Sequence, residues 1–77
     1  MGRKNYKYDK ILCRHFGQKI YKLRTDINIT QEELAFRANI SPSYMSAIER
    51  GITDTTISTA KHLAKALNVN IIDLFMK

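Results

Sequence analysis

The chain has 77 residues, enough for one domain and too few for a large core. Its net charge of +6 at pH 7 suits an anionic partner, although surplus lysine also serves solubility. A single cysteine, Cys13, excludes an internal disulfide, and no Cys/His cluster has zinc spacing. No apolar run is long enough for a membrane span. No apolar segment follows the basic start, so no secretory leader is expected and a cytoplasmic setting is.

In chain order, residues 1–8 carry Arg3, Lys4 and Lys7 without apolar periodicity and read as a flexible basic arm. The arm either follows DNA phosphates or is a solvated tail. Residues 9–77 read as the domain. From Asp9 to Thr25 the pattern is helical, with Leu12, Phe16, Ile20 and Leu23 on one stripe expected to be buried. Asp9 and Arg24 suit the two ends of the helix dipole. His15 reads as a surface or boundary residue rather than a ligand. Asn28 is expected to take the left-handed conformation after this helix.

Thr30 opens a second helix, and Thr30 with Glu33 forms a capping box. Ile29 and Leu34 are spaced as a hydrophobic staple, and Ala35 and Ala38 give a narrow apolar face. A third helix starts at Ser41 with Pro42 in its first turn, buries Met45 and Ile48, and stops at Gly51. Ser43, Tyr44, Ser46, Ala47 and Arg50 are left for an outer face. After the loop Ile52-Thr53-Asp54-Thr55, Thr56 caps a fourth helix marked by Ile57, Ala60, Leu63, Ala64 and Leu67 and ending at Asn68. A last short turn, capped by Asn70, holds Ile71, Ile72, Leu74 and Phe75. The expected fold is a compact all-α bundle of five helices.

Catalysis is poorly supplied. The acids are scattered and explicable as caps or exposed charges, His15 and His62 have no nucleophile near them, and no glycine-rich phosphate loop exists. No catalytic residue, metal site, cofactor or small-molecule ligand is expected. Binding to double-stranded DNA needs cations, helix N-termini for phosphate and a protruding element for bases. Gln31 stands at the start of the second helix, where its amide and the free N–H groups can hold a phosphate. Thr55 and Thr56 form a second such anchor at the fourth helix, with Thr53 in the same loop. Ser43 and Ser46 can touch base edges, and Ala47 can meet a thymine methyl. Tyr44 either reaches phosphate or packs structurally. Arg37 and Arg50 are backbone-contact candidates, with Arg50 alternatively pairing with Glu49 or Glu33.

Residues 16–24 (FGQKIYKLR), 30–35 (TQEELA), 40–51 (ISPSYMSAIERG) and 63–75 (LAKALNVNIIDLF) together resemble the helix-turn-helix domain of the phage-repressor and Cro type, the XRE family. The resemblance implies a lambda-repressor-like DNA-binding bundle that reads palindromic operator DNA as a homodimer and regulates transcription. It maps the family's phosphate contact onto Gln31 and its recognition-helix contacts onto Pro42, Ser43, Tyr44, Ser46 and Ala47. The size, and residues 33–38 with 44–51, are similar to the controller proteins of restriction–modification systems. Departures are Pro42, where many relatives carry a long polar reader of guanine, Thr55 in place of proline and Asn68 in place of glycine. Loss of that reader shifts specificity toward DNA shape. Surplus apolar side chains at the end, Ile72, Phe75 and Met76, suit a two-fold interface, with Leu74 turned inward. Such an interface would set two recognition helices roughly 34 Å apart. The other reading is a protein-interaction module, antitoxin-like or an adaptor, that uses the same fold.

Overall fold

Four α-helices and a closing 3₁₀ turn follow one another in the computed structural model, which describes residues 8–76: α1 (Lys10–Asp26), α2 (Gln31–Ala38), α3 (Pro42–Arg50), α4 (Ile57–Leu67) and the turn Ile71–Phe75. No strand occurs among the described residues. The expected fifth helix is therefore a 3₁₀ turn of 5 residues, tied at its start by the Asn70 N–H donating to Asp73 Oδ2 at 3.1 Å. Most of the basic arm lies outside the described residues.

Each α-helix starts on a side-chain cap. Asp9 Oδ1 accepts from Leu12 N at 2.9 Å, Thr30 Oγ1 from Glu33 N at 3.0 Å, Ser41 Oγ from Tyr44 N at 3.0 Å and Thr56 Oγ1 from Thr59 N at 3.0 Å. Each cap satisfies an amide that the helix cannot, an effect of about 1 kcal/mol. Only half of the expected capping box at Thr30 forms. The Glu33 carboxylate turns forward to accept from Arg37 Nε at 2.9 Å, because a cation one turn on competes with the backbone amide. The stops are equally local. Asn28, Asn39 and Asn68 all have φ of 59°, and Gly51 has φ of 72°. Asparagine tolerates this left-handed region better than other residues with a β-carbon.

One core joins the elements. Phe16 and Ile20 of α1, Leu34 of α2, Met45 and Ile48 of α3, Leu63 and Leu67 of α4 and Leu74 of the closing turn form its centre. Ile29 and Tyr44 pack against it half-buried. The α1 stripe is rotated from the expected one. Cys13, Phe16, Gly17 and Ile20 are buried, Leu23 is half-buried and Leu12 is 49% exposed. Leu12 stands near the start of α1, where it lines a groove with the closing turn and a pocket with the start of α4. Ile57, an expected inward marker of α4, is 84% exposed because it is the first residue of that helix and precedes its buried face.

α1 packs on α3, and α2 packs on both α3 and α4. The α1–α3 approach is close enough to require glycine twice. A β-carbon at Gly17 would fall on the Ile48 carbonyl oxygen and lie 2.6 Å from that of Glu49. One at Gly51 would lie 2.7 Å from Arg14 Cα, at a φ that already disfavours a side chain. Gly17→Ala should destabilise the fold by about 2 kcal/mol or more, through overpacking against backbone that cannot move aside. Urea unfolding followed by circular dichroism measures this as a lowered midpoint at unchanged m-value.

Candidate nucleic-acid interface

The outer face of α3 follows from its inner one. Met45 and Ile48 are buried, so the residues between and before them turn outward. Pro42, Ser43 and Arg50 are exposed, and Tyr44, Ser46 and Ala47 are half-buried. Four of the six side chains are small, so bases can approach the helix closely. Tyr44 packs its ring against the core, which gives it a structural role.

Gln31, the first residue of α2, is half-buried and its amide is already engaged. Gln31 Nε2 donates to Glu49 Oε1 at 2.9 Å. The same carboxylate receives Arg24 in a two-pronged pair, Nε to Oε2 at 2.6 Å and Nη2 to Oε1 at 3.0 Å. Arg24 Nη1 donates to the Ile29 carbonyl at 2.8 Å, and its guanidinium lies 5.4 Å from the Tyr21 ring centroid. The side chains of Arg24 and Glu49 are only 11% and 4% exposed. The hydrogen bonds to Glu49 hold the guanidinium pKa above its ordinary value, against the opposing effect of burial. One cluster thus ties α1, the start of α2 and the last turn of α3.

This overturns one sequence alternative. Glu49 pairs with Arg24 and Glu33 with Arg37, so Arg50 belongs to neither pair. Adjacent helix residues point about 100° apart, so Glu49 and Arg50 cannot face each other. Arg37 is exposed and held in its pair with Glu33 one turn away, which leaves it a weaker candidate than Arg50. At the start of α4, Thr53 and Thr55 are half-buried and Thr56 is exposed. The Thr56 hydroxyl donates to Thr59 Oγ1 at 2.9 Å and caps the helix as well. Its proton is therefore committed inside the protein. The backbone amides of that first turn are the better phosphate donors.

Arg24 and Glu49 escaped the sequence reading as site residues. Arg24 was legible only as a cation at a helix end, and Glu49 only as a scattered acid or an alternative partner for Arg50. Among the other reactive groups, Cys13 is buried with its thiol 3.8 Å from Asp54 Oδ1. Burial, then the Asp54 charge, push this thiol's pKa up, the reverse of what a nucleophilic cysteine needs. No group of three or more metal-ligating side chains occurs among the described residues, and none of their helices is long and apolar enough to cross a membrane.

Residues 20–74 match the helix-turn-helix family HTH_3. The chain belongs to this family, of XRE type. It is 38% identical over 60 residues to the control protein C.BamHI of Bacillus amyloliquefaciens, covering 77% of this chain and 74% of that protein. It is also 38% identical over 58 residues to an HTH-type transcriptional regulator of Sinorhizobium fredii, covering 75% of each. The crystal structure of the restriction–modification controller C.AhdI from Aeromonas hydrophila superposes with a TM-score of 0.80 at 35% identity, over 82% of this chain and 96% of that one. These relatives are regulators and controllers rather than enzymes.

Removing only one partner of the buried pair strands a charge. Glu49→Ala should cost about 3–5 kcal/mol, far more than the roughly 0–1 kcal/mol expected for Glu33→Ala in its exposed pair. Side-by-side urea titrations of the two variants check the contrast.

Proposed function

We propose that this helix-turn-helix regulator binds palindromic operator DNA as a homodimer, with the role of a restriction–modification controller. The observation that carries the DNA reading is the arrangement around α3. Its outer face offers Ser43, Ser46 and Ala47 to base edges and Arg50, outside the ion pairs among the described residues, to a phosphate. Gln31 and the first-turn amides of α2 stand against its last turn, through the bond to Glu49. The loop carrying Thr53 and Thr55 leaves from its C-cap Gly51. Small side chains read bases by close approach, the backbone amides take phosphate, and the net positive charge draws the duplex in.

The homodimer rests on an apolar surface wider than the three residues expected from sequence. Ile72, Phe75 and Met76 are 62%, 54% and 56% exposed, while Leu74 is buried as expected. Phe75 also leans on Phe16, with ring centroids 5.2 Å apart. Leu12 and Phe75 border both a groove of about 430 Å³ beside the closing turn and a pocket of about 80 Å³ at the start of α4. Leu12 and Ile57 thereby join the surface, and a self-complementary face of this kind suits a two-fold partner. The controller role is supported by the likeness to C.BamHI and C.AhdI, and genes for a methyltransferase and an endonuclease beside this one would be its genomic counterpart.

Two outcomes follow. In fluorescence-anisotropy titrations on duplex from upstream of its own gene, affinity should fall linearly with salt on logarithmic axes. Arg50→Gln should reduce that slope by about 1, whereas Ser43→Ala should leave the slope alone and erode preference for the site over scrambled duplex. Equal affinity for both duplexes would reject sequence-specific binding, and an unchanged slope for Arg50→Gln would favour the protein-interaction module. Phe75→Glu should sediment as a monomer and lose operator affinity by roughly 100-fold while remaining helical. A dimer that persists in that variant would move the interface elsewhere.

A further inference from the structure

The carboxylate of Glu49 meets three donors from two other helices: Nε and Nη2 of Arg24 and Nε2 of Gln31. That bond orients the Gln31 carboxamide. A carboxylate is an acceptor only, so it must face the nitrogen end of the amide, because the oxygen end would be repelled. The nitrogen carries two protons and one is spent on Glu49, which leaves a second for an external acceptor. Gln31 is also the first residue of α2, where the Thr30 cap takes Glu33 N and leaves the amides of Gln31 and Glu32 without an intrahelical partner. All these donors sit at one helix end.

Charge decides whether such an end can accept a phosphate. A bare carboxylate behind Gln31 would repel the anion. Arg24 cancels that charge at 2.6 Å, so the Arg24–Glu49–Gln31 cluster is neutral. Of the two acids in the first turn of α2, Glu33 is paired with Arg37 and Glu32 is exposed to solvent. The same pair is buried, so it is held against α1 rather than swinging with solvent.

We propose that Glu49, clamped by Arg24, is a positioning residue for DNA binding: it sets the Gln31 carboxamide so that its second N–H closes on the same phosphate as the first-turn amides of α2. This rests on the operator-binding reading above. It adds a role for an ion pair held within the protein behind Gln31.

A double-mutant cycle on operator duplex tests it. Gln31→Ala should weaken binding by about tenfold, with the salt slope unchanged because the lost donor is neutral. Replacing the buried pair together, Arg24→Met with Glu49→Leu, leaves no stranded charge, and its folding is checked by urea unfolding. In that background Gln31→Ala should cost less than about twofold, since the amide is already unset. The same tenfold loss in both backgrounds would reduce the pair to a structural brace and overturn the proposal, as would no loss in the wild type. Absence of any salt-dependent binding by the wild type would instead remove the operator reading itself. An NMR measurement on the unaltered protein stands apart from variant folding. One Gln31 Nε2 proton should be protected from exchange before and after DNA is added, while the other shifts on binding. Loss of that protection in the complex would show that Gln31 leaves Glu49, against the proposal.

Discussion

The contact between α1 and α3 governs the rest of the molecule. Two glycines allow the helices to touch backbone to backbone: Gly17 under the carbonyls of Ile48 and Glu49, and Gly51 under Arg14. The buried Arg24–Glu49 pair closes the same interface. Van der Waals contact alone would let α3 slide or roll by a fraction of a turn. A two-pronged guanidinium–carboxylate bond is directional and resists that motion. The outer face of α3 is consequently fixed relative to α1, and through Gln31 relative to α2 as well. If α3 reads bases through short side chains such as Ser43 and Ala47, as proposed, this rigidity is its main structural requirement.

The buried pair need not stabilise the fold to fulfil that role. Desolvating two charges roughly offsets their attraction, and an apolar pair of similar shape can serve stability as well. What apolar side chains would not supply is an acceptor at a fixed point beside the start of α2. On the proposed reading, the cluster links packing to recognition, with a structural contact on one side and the Gln31 phosphate donor on the other.

The apolar surface around Leu12, Ile57 and Phe75 has the opposite character. It is open, and the core is complete without it, since Leu74 already seals the closing turn. Leu12, Ile57, Phe75 and Met76 line the groove or the pocket together, whereas other exposed apolar side chains such as Ile11, Phe36 and Ile52 line neither. Dimerisation through this face would leave α3 free for DNA, because its outward residues do not border the groove or the pocket.

Most of the helical layout was legible because it is written in local bonds. Asp9, Thr30, Ser41 and Thr56 each reach an amide three residues on, and Asn28, Asn68 and Gly51 end helices by their own backbone preferences. Such interactions span one turn, so spacing along the chain reveals them. The partner of Glu49 was not legible, since Arg24 lies 25 residues away and Arg50 is adjacent in sequence yet points elsewhere. Nor was the exposure of Leu12 and Ile57, which depends on where the cover of neighbouring elements runs out. The sequence by itself determined where helices begin and end and which of them would form the motif. Only the tertiary structure decided which charge meets which and which apolar face stays open, because both depend on helix packing that no single turn encodes.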